Sequence, residues 1–97
     1  MGFEVDTREV RRAAREIKRI AGSVRELSDQ SVAQMQISVA DNLEGETADA
    51  IAEVLTDLNM DIRKISAGLS DVQKALLDYA KRVEEADEEA KKTIESN

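Results

Sequence analysis

The chain has no cysteine, histidine, tryptophan or proline, and its 97 residues include one Tyr and one Phe. Without His or Cys there is no imidazole base, no thiolate nucleophile and no His- or Cys-ligated zinc or haem. Carboxylate, Lys, Ser and Tyr chemistry remains, but those residues are spread along the chain at ordinary surface density, so no enzyme, cofactor or metal centre is expected. A disulfide-stapled small domain is excluded. The lack of proline removes the commonest interruption of long helices, and an almost entirely helical chain is the first expectation. No stretch approaches the roughly 20 apolar residues of a membrane span, and no apolar segment follows a basic start as a cleavable signal peptide requires. Asp6 stands where a myristoylation signal has Ser or Thr. The expected location is therefore the cytoplasm, or the outside by a route that reads no such signal.

What is present is charge: 14 Lys and Arg against 21 Asp and Glu, a formal net charge of -7. That balance argues against generic affinity for nucleic acid or anionic membrane. It is unevenly placed. Residues 1 to 42 are neutral, because Arg8, Arg11, Arg12, Arg15, Lys18, Arg19 and Arg25 match their acids in number, and the whole deficit follows position 42. The bases between 8 and 19 lie on the side opposite Val10, Ile17 and Val24. Glu9 and Glu16 interrupt them, whereas the basic region of a DNA-reading zipper is a continuous cationic helix. They read as a solvated face able to pair with acids across a bundle, each pair worth about 0 to 1 kcal/mol.

Local signals set the helix boundaries. Asp6 as N-cap places Glu9 at the third helical position, the capping-box pattern, with Val5 and Val10 spaced as a hydrophobic staple. Val10, Ala13, Ala14, Ile17, Ile20, Ala21, Val24 and Leu27 then recur at helical spacing, continuing through Val32, Met35 and Val39. Between Ser28 and Gln36 the sequence is polar, so the helix is expected to persist with a thin core. Asn42 and Gly45 tolerate the backbone of a helix end, and Glu46, Thr47 and Asp49 suit a new start. The expected elements are a helix over 7 to 41, a turn over 42 to 46 and a helix over 47 to 95.

The second helix carries a seven-residue repeat. Leu55, Ile62, Leu69, Leu76, Val83 and Ala90 occupy one column, and Ile51, Leu58, Ile65, Val72, Tyr79 and Ala86 the other, alternating by four and three without a slip. The set Ile51, Leu55, Leu58, Ile62, Ile65, Leu69, Val72 and Leu76 is the expected core. Helices of roughly 50 and 70 Å joined by a tight turn are antiparallel neighbours, with residue i opposite roughly 89 minus i. Gly22 and Ser23 then face Ala67 and Gly68, small residues that would permit close approach, and residues beyond about 82 lack a partner. A two-helix hairpin cannot bury both columns, and a chain this small without disulfide or metal usually oligomerises. The expected fold is all-α, an antiparallel hairpin dimerising into a four-helix bundle, with small flanking residues (Ala52, Ser66 and Ala80; Val54, Gly68 and Ala75) widening the seam.

The tail from 83 to 97 is acidic, with Glu84, Glu85, Asp87, Glu88, Glu89 and Glu95, and its column positions shrink to Ala86 and Ala90. It is expected to be frayed or exposed, serving as a solubilising helix end or as a segment for a receptor. The Gly and Asn spacing of a calcium loop is missing.

A capped first helix, the tripeptide Leu43-Glu44-Gly45 near the middle of about 100 residues, and a longer second helix with a charged tail resemble the WXG-type proteins, the ESAT-like substrates of type VII (ESX) secretion. The resemblance spans the chain. Leu43 stands where that family has Trp, and Gly45 keeps the family glycine. The family's export signal is Tyr, three residues, then an acid; here Tyr79 is followed at the fourth position by Val83, and Val83 with Asp87 gives a hydrophobic variant on one helical face. Tyr79 is also a heptad position, suited to packing. The resemblance implies a helical hairpin that pairs with itself or a sister hairpin and is secreted folded, without a cleaved signal. Its tail, through Tyr79, Val83 and Asp87, would be presented to the secretion ATPase, and a larger toxin is a further implied partner. A cytosolic coiled-coil adaptor that is never exported is the alternative from another class.

Overall fold

In the computed structural model, which describes residues 4–96, three helices form a long antiparallel hairpin: α1 (Thr7–Glu26), α2 (Ala33–Asn42) and α3 (Gly45–Ser96). A π-helical turn, Leu27–Val32, joins α1 to α2 without a change of direction. The molecule measures 79 × 20 × 16 Å. Its length is that of α3 alone, since 52 residues at 1.5 Å each give about 78 Å.

Each boundary has a chemical cause. Asp6 is the N-cap of α1, with extended backbone and a side-chain oxygen accepting the Arg8 N–H at 3.0 Å. That bond satisfies one of the amides left free at a helix start. Val5 and Val10 are both half-buried at this end. At the other end Leu43 turns to extended backbone and donates its N–H to the Val39 carbonyl at 3.0 Å. The chain then reverses at Gly45, whose φ of 75° lies in the left-handed region that side-chain-bearing residues rarely adopt. The new helix opens there, two residues before Thr47.

The centre of the hairpin is narrow. Its buried apolar residues are Ala14, Ala21, Val32, Leu55, Ile62 and Ala80. Val24, Val39 and Ile51 pack against the cluster of Val32, Leu55 and Ile62. The polar stretch after Leu27 is not the thin part: Val32, 1% exposed, is the largest fully buried side chain. The wide turn explains this. A strict seven-residue spacing drifts by about 20° per heptad on a straight helix, and the extra residue of a π turn resets the phase. Ser28 and Val32 therefore both face α3.

The register is fixed by polar contacts in this seam and at its edge. Ser66 Oγ donates to the Ala21 carbonyl at 2.9 Å. Ser28 Oγ donates to Asn59 Oδ1 and accepts from Arg63 Nε at 3.2 Å, while Arg63 Nη2 reaches Asp29 Oδ1 at 3.1 Å. Close approach through glycine plays no part within the chain: a Cβ at Gly22 or Gly68 would meet nothing within 4 Å.

Candidate interaction surfaces

The two apolar columns of α3 are divided between different surfaces. Leu55 and Ile62 are buried against α1 and α2, and Ile51, Leu69 and Leu76 are half-buried. The residues that complete this inward face are Ser66 and Ala80, both buried, with Asn59 and Gln73 half-buried, rather than the second column. Apart from Ile51, which packs on the inner cluster, the large residues of that column stay outside: Leu58, Ile65, Val72 and Tyr79 are 41, 56, 47 and 43% exposed. At seven-residue spacing they form one row on the flank of α3. Ile20 and Leu27, also exposed, continue the same flank on α1 beside half-buried Ile17 and Val24. Three of the eight residues of the expected core, Leu58, Ile65 and Val72, thus belong to an unpaired apolar face running along the hairpin.

The opposite flank is polar and cationic. The Arg11 guanidinium grips Glu84 with two bonds, Nη2 to Oε1 at 2.5 Å and Nε to Oε2 at 3.2 Å. Hydrogen bonds from Arg11 first, and from Thr7, hold the Glu84 carboxyl below its usual range, against the opposing effect of desolvation. The same pair raises Arg11 further. This clasp corrects the expectation that nothing beyond residue 82 has a partner in the hairpin. Farther along, Asp29 lies between Arg25, at 3.8 Å, and Arg63, at 3.1 Å. The two arginines border a shallow pocket with Ser66, Ala67 and Ser70.

The third surface is the tail. α3 continues unbroken through Ser96, and residues 85 to 94 are exposed. Val83, Ala86, Asp87, Ala90 and Ile94 border an open groove with Glu4 and Val5. Tyr79, Val83 and Asp87, at i, i+4 and i+8, share one helical row on the apolar side. Two of the three line that groove, and Tyr79 belongs to the exposed apolar face instead. At the turn, Leu43, Glu44 and Gly45 are all exposed, Leu43 by 40%. Its side chain therefore remains available at the tip.

Arg11 and Glu84 sit 73 positions apart, and the only hint of the clasp in the sequence was the antiparallel register itself. The polar knot at Ser28, Asn59 and Arg63 was signalled by polar residues at positions a heptad reading assigns to the flanks.

Among the described residues no group of acidic side chains is gathered closely enough to hold a metal ion, and no helix is long and apolar enough to cross a membrane. No curated protein and no solved structure matches the chain. The family model described as proteins of 100 residues with WXG matches residues 2–88, and the all-helical hairpin is consistent with that family's all-α fold; the chain belongs to the WXG100 family.

Proposed function

We propose that this chain is a non-enzymatic substrate or partner protein of a type VII secretion system, working through helical pairing and a C-terminal export signal. Family membership makes it a small helical protein associated with that system, and WXG100 proteins are in general non-enzymatic secretion substrates that form dimers with helical hairpins. The observation that carries the reading for this chain is the unpaired apolar face of Leu58, Ile65, Val72 and Tyr79 with Ile20 and Leu27. Among the described residues twelve large hydrophobic side chains are exposed, whereas three, Val32, Leu55 and Ile62, are buried. A second hairpin laid on this face, its own copy or a sister chain, makes a four-helix bundle and removes the side chains of this face from water.

The tail supplies the second half of the reading. Residues 83–97 would be presented to the secretion ATPase, with Val83 and Asp87 at the groove and Tyr79 one turn before them. A larger toxin of the same system is a further partner that the exposed tip and tail would serve. The protein would be cytoplasmic until exported folded, without a cleaved signal peptide. Deleting residues 83–97 tests this in a host with the secretion system: export should cease while the truncated chain stays helical and paired, and unchanged export would overturn the assignment of the signal. A cytosolic adaptor would leave nothing in the medium in either case.

A further inference from the structure

The cationic flank is larger than its ion pairs suggest. On α1, Arg11, Lys18 and Arg25 recur every seven residues, and the rows Arg8, Arg15 and Arg12, Arg19 lie next to them. Three adjacent rows fill the side of the helix turned away from Ile20 and Leu27. α3 adds Arg63 and, in the neighbouring row, Lys74 and Lys81. The contacts Arg11 to Glu84 and Arg25 to Asp29 to Arg63 place the two sets on one flank of the hairpin. Among the described residues Arg12, Arg15, Lys18, Lys74 and Lys81 have no ion-pair partner, and all five are exposed. A chain with a net charge of -7 therefore carries five unpaired bases on one side, beside others already paired with acids.

We propose that this side is a second interaction surface, and that its occupant is the acidic tail of another copy of the chain. Three observations select that occupant. The tail offers Glu85, Glu88 and Glu89 together, bordering one shallow surface pocket with Lys92, on the flank away from the row of Tyr79, Val83 and Asp87. Glu85 to Glu95 spans about 15 Å and Arg8 to Arg25 about 26 Å along their helices, so the acidic stretch fits within the basic one. Apart from the Arg11–Glu84 clasp, a chain's own tail is directed away from this side, because α3 is a single helix through Ser96 that runs on past Glu4 and away from Arg12 and Arg15. Polyanions such as nucleic acid or an anionic membrane approach the whole molecule, and the acids after residue 42 repel them. A protein tail meets the basic side locally, where screening over roughly 8 Å suppresses the net repulsion. The apolar face lies on the opposite flank, so pairing through it and capture of a tail coexist, and pairs are joined end over side into larger assemblies.

Sedimentation velocity of the full chain at about 50 mM and about 500 mM salt, on either side of physiological screening, tests the proposal. Species larger than a dimer are expected at low salt and are lost at high salt. The double variants R12E/R15E and E85K/E88K should each weaken that assembly on the order of tenfold, with unchanged helicity by circular dichroism because all four side chains are exposed. An equimolar mixture of the two variants should regain it, since each supplies the charge the other lacks. No species beyond the dimer at low salt, or assembly indifferent to both variants, would overturn the proposal. So would binding of duplex DNA or phosphatidylglycerol vesicles that depends on Arg12 and Arg15 without self-association.

Discussion

Replacing Ile65 by Asp separates the two apolar columns of α3. Ile65 is 56% exposed in the hairpin, so intramolecular packing holds about half of the 1.5 to 3 kcal/mol that full burial of such a side chain is worth, and the proposed pairing would supply the other half. That is about 1 kcal/mol per copy. In a two-fold pair the residue counts twice, giving about 2 kcal/mol, or roughly 30-fold in Kd, before the cost of burying a carboxylate is added. Sedimentation equilibrium of the Ile65→Asp chain should therefore show dissociation at concentrations where the parent is paired, with the helical signal of the hairpin retained. Ile62, one turn away and 8% exposed, is the contrast. Ile62→Ala removes packing within the hairpin and should cost about 2 to 5 kcal/mol of its folding stability, seen as a lowered melting temperature. Persistent pairing of Ile65→Asp, or equal damage to the fold from both substitutions, would refute the division of the repeat between an inner and an outer face.

Other perturbations probe the hairpin itself. Gly45→Ala should cost about 1 to 2 kcal/mol through the left-handed backbone alone, since no atom lies within 4 Å of the added Cβ; thermal melting checks it. Ser28→Ala takes the acceptor from Arg63 and the donor from Asn59 and should destabilise by about 1 to 3 kcal/mol in denaturant titration. Because the folded hairpin lowers the Glu84 carboxyl, the clasp stabilises fully above the ordinary glutamate value of about 4.3 and is lost as pH falls through the lowered one. Glu84→Gln should flatten that part of the pH–stability curve, and an identical curve would show that the clasp does not contribute.

The fold class and the hairpin were legible because the cues agree: a capped start at Asp6, an unbroken heptad from Ile51 to Ala90, no proline, and Gly45 at the reversal. The contents of each face were not. A strict repeat says that a helix packs along two columns, and it is silent on whether one partner or two cover them. Here Leu55 and Ile62 go inward with Ser66 and Ala80, while Leu58, Ile65 and Val72 go outward. The π turn was hidden for the same reason, since a run of Ser, Asp and Gln reads as a weak helix rather than as a phase shift that buries Ser28 and Val32. The bases of α1 were visible one by one; their extent as a surface appears only when α3 adds Arg63, Lys74 and Lys81 to the same flank.

The most direct measurement compares culture supernatant with lysate for the intact chain in cells with and without an active type VII secretion ATPase. The protein should appear, full length, in the medium only when the ATPase is active. Retention in the lysate under both conditions, or release that does not depend on the ATPase, would contradict its place as a secreted member of the system.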